Sequence, residues 1–384
     1  MATSERMSRK QPTYTIVKDK EHLSRIAIEL KNETEMGVDL ESDSMFHYQD
    51  KVCLIQISTP LKNTLIDPLS LDDLSPLAPV FSDPNIRKVF HGADYDIRSL
   101  YRDFGIEVNT IFDTHIAARF LGILETGLAS LLKNRLGIVI DKKYQKKDWS
   151  ERPLSPAMLA YAVHDTYHLL SLYRGLNREL RDKDRLLWVK EECKRLSRVR
   201  PAPPDDSPLF LRFKDAWKLD PISLSVLASI LELREDTARR RDRPPFKILG
   251  NEQIMEIAVR KPQAKGDLLQ IKGMSARQVK MLGPSILKRI EKCLSLPENK
   301  LPVFPRRTEQ RFSAKVSKGM KALRSWRKQR AKEMGIDPAL VCSNAQIELL
   351  SLASPKNLKD LEDIDTLRAW QRRLYGTEIC GLLK

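Results

Sequence analysis

The 384-residue sequence contains little cysteine. Its five cysteines are scattered along the chain, and none belongs to a Cys-x-x-Cys pair. A disulfide framework and a zinc knuckle are therefore not expected. A reducing cytoplasm fits this cysteine usage best.

Long apolar segments are also absent from the sequence. The first residues, MATSERMSRKQPTYTIV, contain no apolar signal core. No later run approaches the roughly 18 apolar residues that a membrane-spanning helix needs. We therefore expect a protein that is neither secreted nor inserted into a membrane.

Acidic residues are outnumbered by basic ones. The chain has 67 Lys and Arg against 51 Asp and Glu, which gives a formal net charge of +16. This excess favours a polyanionic partner, and nucleic acid is favoured over a membrane surface because no basic amphipathic helix carries bulky apolar anchors. Charge alone does not distinguish DNA from RNA.

Two proline-rich stretches, at residues 198–208 and 295–310, divide the chain because proline interrupts both helices and strands. We expect three domains, at residues 1–200, 209–294 and 311–384. The first alternates strand-like runs with helical stretches and becomes mostly helical after residue 113, which predicts an α/β domain with a mixed sheet. The other two show apolar residues at helical spacing and predict small helical bundles.

The second and third segments resemble each other at a constant, ungapped offset of 93 residues. This offset predicts one helical unit that is used twice. The matched pairs are Arg234 and Arg327, Ala238 and Ala331, Pro245 and Pro338, Pro262 and Pro355, Leu268 and Leu361, Ile271 and Ile364, Gly283 and Gly376, and Ile286 and Ile379.

A predicted strand, GVDLES at residues 37–42, contains two carboxylates. Because strand side chains alternate between faces, Asp39 and Glu41 share one face. Two such carboxylates raise each other's pKa unless a cation lies between them, and their hard oxygen atoms suit Mg²⁺ or Mn²⁺. A solvated strand face is the alternative interpretation.

Further acids occur at the start of one predicted helix and along another. In FHGADYD, Asp94 and Asp96 lie in a first helical turn, where either could simply complement the helix dipole. In a later helix that begins at Ser155, Tyr161 and Asp165 are separated by four residues and share a face. An interfacial tyrosine beside an unrelated acid is the alternative for that pair.

Five motifs, VDLES, FHGADYD, FDTHIAARFLG, LGIVIDKKYQKKDWSERPLS and YAVHDTYHLLSLY, occur in this order. Together they resemble the ribonuclease D family of the DEDD superfamily of 3′–5′ exonucleases. The second segment resembles the helicase and RNase D C-terminal (HRDC) domain, and the third resembles a diverged second copy. The implied fold is an α/β RNase H-like exonuclease domain with a mixed sheet, followed by two all-α HRDC-type bundles.

The resemblance also implies a catalytic site, which consists of Asp39, Glu41, Asp96, Tyr161 and Asp165. The four acids would bind two divalent cations, Mg²⁺ or Mn²⁺, for an in-line phosphodiester displacement. Asp39 would bridge both ions, Glu41 and Asp165 would complete the ligands of the first, and Asp96 would hold the second directly or through water. Tyr161 would orient the attacking water.

The choice between neighbouring candidates follows the family pattern. This pattern places an acid five residues after a histidine, here His91, and so selects Asp96 over Asp94. The position five residues before Asp165 is Ala160 rather than histidine, which selects the tyrosine branch of the superfamily. Asp113 and Trp149 are interpreted as structural.

His164 and His168 lie four residues apart in the last motif. No third ligand with suitable spacing accompanies them, so we interpret them as core or surface residues rather than metal ligands.

Two basic runs, at residues 239–243 and 304–334, are candidates for binding phosphates, although ordinary solvation is the alternative. The resemblance implies a cytoplasmic, metal-dependent 3′–5′ exoribonuclease that acts on tRNA precursors with 3′ extensions and releases nucleoside 5′-monophosphates. No obligate protein partner is evident. A DNA 3′–5′ exonuclease on the same scaffold and a non-catalytic nucleic-acid-binding adaptor are the alternatives.

Overall fold

A computed structural model describes residues 12–203, 205–305 and 312–384. These residues form two compact units. The first comprises residues 12–42, 52–201 and 312–384, and the second comprises residues 43–51 and 202–305. Within the described ranges, no helix is long and apolar enough to cross a membrane.

A six-stranded mixed sheet lies in the first unit, with the strand order β1-β4-β3-β2-β5-β6. Strands β2, β3 and β4 pair antiparallel, whereas β1 with β4, β2 with β5, and β5 with β6 pair parallel. All side chains of β3 are buried, in agreement with its mostly apolar sequence VCLIQIS. The strands are β1 (Thr15–Val17), β2 (Glu35–Ser42), β3 (Val52–Ser58), β4 (Asn63–Ile66), β5 (Arg87–Phe90) and β6 (Ile111–Asp113).

Helices cover this sheet, and further helices form the helical parts of the described chain. In the α/β part they are α1 (Lys20–Leu30), α2 (Ala78–Ser82), α3 (Asp94–Phe104), α4 (Thr114–Phe120), α5 (Leu128–Leu136), α6 (Pro156–Tyr167), α7 (Leu169–Asp182) and α8 (Leu186–Leu196). In the helical parts they are α9 (Pro221–Arg241), α10 (Pro245–Ile248), α11 (Asn251–Arg260), α12 (Lys265–Leu269), α13 (Ala276–Leu294), α14 (Ala314–Met334), α15 (Pro338–Val341), α16 (Asn344–Ala353) and α17 (Ala369–Leu382).

The mixed sheet confirms the predicted α/β class of the first segment. The short strand β6 begins one residue before the motif FDTHIAARFLG, and the sequence pattern does not predict it. It is only three residues long and directly precedes α4, so its sequence carries little strand periodicity.

The internal repeat is confirmed by hydrogen bonds at the same 93-residue offset. Arg234 donates to the Asn251 side chain at 2.7 Å, and Arg327 donates to the Asn344 side chain at 2.9 Å. The long helices α9 and α14 also begin and end at positions that differ by 93. Further matched bonds run from Gln253 to Gly273 O and from Gln346 to Thr366 O, and from Gln278 to Ile248 O and from Gln371 to Val341 O.

The second helical copy shares a hydrophobic core with the α/β part. The Trp370 ring of α17 stacks on Trp188 of α8 at 4.6 Å and meets the edge of Phe120 at 5.8 Å. Beside this stack, Arg368 forms an ion pair with Glu192 at 2.6 Å. Residues 312–384 are therefore packed as part of the first unit.

The basic run at 304–334 falls partly on α14. Within it, Trp326 is a core residue, because its side chain is 8% exposed. The members of this run at residues 306–311 lie outside the described residues.

Candidate active site

Strand β2 and helix α6 bring three of the predicted carboxylates together. Asp39 and Glu41 lie two residues apart on β2, and their ladder partners are Gln56 and Leu54 of β3. Asp165 reaches the same place from α6. One oxygen from each of the three carboxylates lies within 4.8 Å of the others.

The close packing of α6 on the sheet explains this proximity. Gly37 has so little space that a Cβ would lie 3.0 Å from Thr166 O and 3.2 Å from Leu169 Cβ. The Thr166 hydroxyl is also 2.7 Å from that of Ser58 on β3. Since Thr166 directly follows Asp165, these contacts fix the last turn of α6 over β2.

Asp96 lies in the first turn of α3, where it is 7% exposed. It is outside the group of three close oxygens. Burial raises the pKa of Asp96 well above its usual value, and the Asp39 charge raises it further. Asp94, in contrast, is exposed and forms an ion pair with Arg98 at 2.7 Å. The ion pair of Asp94 fits a structural role for this acid, whereas Asp96 is buried close enough to Asp39 for the two charges to interact.

Asp113 holds the turn that precedes Asp96. Its buried carboxylate accepts hydrogen bonds from the backbone N–H groups of Gly92 and Ala93 at 3.0 and 2.9 Å. It also caps α4 through the N–H groups of His115 and Ile116. Gly92 has φ +78°, a left-handed conformation that favours glycine.

Burial dominates the electrostatics of the acidic cluster. It raises the pKa of Asp39 to about 7. It also raises the pKa of Glu41 to about 10, with further contributions from the charges of Asp39, Asp165 and Asp96. The pKa of Asp165 is likewise raised by burial and by the Asp39 charge. Neighbouring carboxylates do not all ionise easily, because their negative charges repel each other. A hard divalent cation binds such oxygen atoms and compensates these charges.

The Tyr161 hydroxyl adjoins this cluster. Its ring is flanked by Trp149 at 6.1 Å and Tyr144 at 5.9 Å. Burial and the charges of Asp165, Glu41 and Asp39 raise its pKa far above the usual value for a phenol. The hydroxyl is therefore protonated at neutral pH, and its hydrogen bond to Asp165 partly offsets the raised pKa of that acid.

An ion pair between Arg152 and Asp67 lies next to the backbone of Trp149. Arg152 donates to the Trp149 carbonyl at 2.7 Å and to both Asp67 oxygens at 2.7 and 2.8 Å. Trp149 itself is 1% exposed, in agreement with its structural interpretation. The pair thereby supports the segment that leads into α6.

A cleft of about 340 Å³ contains Asp39, Glu41, Tyr161 and Asp165. The sequence analysis did not identify two polar residues that line this cleft, Lys142 and Gln145. Four lysines within the motif LGIVIDKKYQKKDWSERPLS, at positions 142, 143, 146 and 147, are a signal that could have drawn attention to this segment.

His91 also lines the cleft. Its Nδ1 lies 2.9 Å from the Thr114 hydroxyl, which itself donates to Phe90 O. The Thr114 oxygen can therefore accept a hydrogen bond from Nδ1 of His91. Burial lowers the His91 pKa to about 4, so its imidazole is neutral.

Other polar residues near the site do not join the acidic group. His164 and His168 stack at 6.0 Å, and burial lowers the pKa of both. Gln56, opposite Asp39, is completely buried, and within the described chain neither atom of its amide has a hydrogen-bond partner.

Two family models match this chain. The family described as 3′-5′ exonuclease matches residues 14–181, and the HRDC domain matches residues 223–290 and 318–383. A ribonuclease D from a Shewanella species is 31% identical over 72% of this chain and 71% of its own length. The chain belongs to the ribonuclease D family.

Similarity to other ribonuclease D proteins extends over nearly the whole chain. The protein from Pseudomonas paraeruginosa is 28% identical over 97% of this chain and 98% of its own. The crystal structure of Escherichia coli RNase D, an exoribonuclease involved in structured RNA processing, superposes with a TM-score of 0.70 at 26% identity. It covers 97% of this chain and 98% of that one. Membership of this family makes the chain a 3′–5′ exoribonuclease and confirms the predicted fold.

Proposed function

We propose that this ribonuclease D family member is a divalent-metal-dependent enzyme that trims the 3′ ends of structured RNA in the cytoplasm. Its proposed natural substrates are tRNA precursors with 3′ extensions, and its products are nucleoside 5′-monophosphates. The observation that carries the proposal is the convergence of Asp39, Glu41 and Asp165 within 4.8 Å. These acids lie in a cleft that also contains Tyr161.

Asp39, Glu41 and Asp165 would hold divalent cations, with Asp96 contributing directly or through water. Their burial and raised pKa values support this, because three nearby acids cannot all ionise without a compensating positive charge. Bound cations would supply water activation and stabilisation of the leaving oxygen in an in-line displacement.

The chain's own side chains position the substrate. The protonated Tyr161 hydroxyl can donate one hydrogen bond and accept another, so it can orient an attacking water beside the scissile phosphate. The Trp149 and Tyr144 rings restrict its movement. Lys142, at the wall of the cleft, offers a positive charge to the phosphate, which the acidic cluster alone would repel.

The test is a time course with a 5′-labelled, 3′-extended tRNA and a DNA oligonucleotide of matched sequence, each in Mg²⁺, in Mn²⁺ and in chelator. We expect stepwise shortening of the RNA only when metal is present. Asp39→Asn should abolish shortening but retain RNA binding in chelator. The matched control is Asp94→Asn, which removes an exposed, ion-paired acid and should remain active.

The same experiment distinguishes the proposed function from a DNA exonuclease and from a non-catalytic adaptor. Digestion of the DNA at a rate comparable to the RNA would instead support a DNA exonuclease. Shortening in chelator, or full activity of Asp39→Asn, would contradict the proposed site. Tight RNA binding without any shortening would leave a non-catalytic adaptor.

A further inference from the structure

A second cleft, of about 620 Å³, lies within the first unit at the beginning of strands β5 and β6. It is lined by residues from the turns before these strands, from α7 and α8, and from the segment that follows α8. We call it the basic cleft after six of its lining residues: Arg87, Arg181, Lys190, Lys194, Arg198 and Arg200.

Most of this positive charge is not neutralised. Glu107 is the one acid among the described lining residues, and it is paired with Arg200 at 2.7 Å. In the described part of the chain, Arg181, Lys190, Lys194 and Arg198 form no ion pair, and all four are exposed. Four unpaired cations around one concavity attract a ligand with several negative charges.

The wall beneath these cations is rigid. Arg87 donates to the Tyr173 hydroxyl at 2.6 Å, and its guanidinium lies 5.2 Å from the centre of the same ring. Tyr173 in turn packs edge-on against Phe112 at 4.7 Å. A solvated helix face would need no such support, whereas a preorganised anion site gains from it.

The position of the basic cleft separates it from the acidic cluster. Arg87 begins β5, whereas His91, which lines the acidic cleft, follows the end of that strand. At about 3.3 Å per residue, the two clefts open on the order of 10 Å apart along the strand, at its opposite ends. A nucleotide bound at the acidic cluster therefore does not occupy the basic cleft.

We propose that the basic cleft binds backbone phosphates of the RNA body while the 3′ end occupies the acidic cleft. This inference rests on the proposed function for the identity of the substrate. It makes the cleft a determinant of substrate class, because a longer structured RNA can reach it from the acidic cleft, whereas an RNA of two nucleotides bound in the acidic cleft cannot. Phosphate contacts position a nucleic acid without reading its sequence, so the preference concerns size and structure.

The test uses the full chain with Arg181, Lys190 and Lys194 replaced by glutamine. Binding of a 3′-extended tRNA is measured in chelator over a range of salt concentrations. Hydrolysis of a short RNA of two nucleotides is measured with metal. The matched control replaces three exposed lysines that do not line the basic cleft by glutamine: Lys18, Lys20 and Lys31.

We expect the cleft variant to bind the tRNA more weakly, with the slope of log Kd against log salt reduced by about 2 to 3. Its hydrolysis of the short RNA should equal that of the parent chain. The control should keep the parent slope.

An unchanged slope in the cleft variant, as expected if the cleft instead binds an acidic protein, would overturn the inference. So would an equal loss in the control, or a loss of short-RNA hydrolysis in the cleft variant. Failure of the proposed function would be recognised separately, because the parent chain would then not shorten either RNA.

Discussion

The Asp113 carboxylate accepts a hydrogen bond from the Ala93 N–H group at 2.9 Å, three residues before Asp96. Its other oxygen accepts the Gly92 N–H and two N–H groups of α4. One buried acid thereby joins the start of α3 to the start of α4. The position of Asp96 depends on a residue that does not itself belong to the acidic cluster.

Asp113→Asn should lower both stability and activity. An amide keeps one acceptor oxygen but places an NH₂ group against a backbone N–H, so we expect a loss of about 1 to 3 kcal/mol in the free energy of unfolding. Because the turn before Asp96 shifts, kcat should fall more than KM changes. Urea unfolding and steady-state kinetics on the short RNA measure the two effects. Asp94→Asn is the control, and equal effects of both variants would contradict the assignment.

Tyr161→Phe should lower kcat about 10- to 100-fold and leave KM nearly unchanged, because the hydroxyl acts on the attacking water rather than on substrate binding. Single-turnover hydrolysis of the short RNA measures this effect. Tyr144→Phe provides the control, since its ring packs against Tyr161 and the substitution keeps that ring. A Tyr161→Phe enzyme as fast as the parent would exclude the hydroxyl from the reaction.

The acidic cluster should make stabilisation by metal dependent on pH. The folded pKa of Asp39, about 7, lies above its ordinary value of 3.8, so the metal-free fold retains a proton that the unfolded chain has lost. Stability of the metal-free protein should therefore fall as pH rises from about 4 to about 7. A cation that binds only the ionised cluster reverses this loss.

We accordingly expect Mg²⁺ to raise the thermal midpoint more at pH 8 than at pH 5.5. Thermal unfolding in Mg²⁺ and in chelator at both pH values measures the difference. Asp39→Asn should reduce the effect of Mg²⁺ at pH 8. If the rise in thermal midpoint caused by Mg²⁺ were the same at both pH values and in Asp39→Asn, the stabilising ion would bind outside the acidic cluster.

Trp370→Ala should destabilise the first unit by about 3 to 5 kcal/mol, because it removes a buried ring that stacks on Trp188 and contacts Phe120. Trp217→Ala is the control, since Trp217 is 64% exposed and its loss should change stability by less than about 0.5 kcal/mol. Urea unfolding followed by circular dichroism compares the two. Equal stabilities would mean that residues 312–384 do not support the α/β part.

Local sequence patterns were sufficient to predict much of this fold. The alternation in GVDLES placed Asp39 and Glu41 on one face because strand periodicity is a property of the backbone. Ser155 and Pro156 marked the start of α6 through capping chemistry, which also acts between near neighbours. The 93-residue offset predicted the second helical copy because the same hydrogen bonds require the same residues at the same spacing.

Features that depend on distant segments could not be read from the sequence. Lys190 and Lys194 are one helical turn apart, but only the fold brings them into one cleft with Arg87 and Arg200. The sharing of one core by Trp370 and Trp188 likewise needs packing between segments some 180 residues apart in sequence.

The sequence by itself determined most of the strands, the helix starts, the repeat and the family motifs, because these follow from periodicity, capping and spacing along the chain. Only the tertiary structure decided which carboxylates lie within 4.8 Å, how far burial raises their pKa values, and where unpaired cations collect. Desolvation and proximity in space depend on packing between distant residues, and no local pattern contains that information.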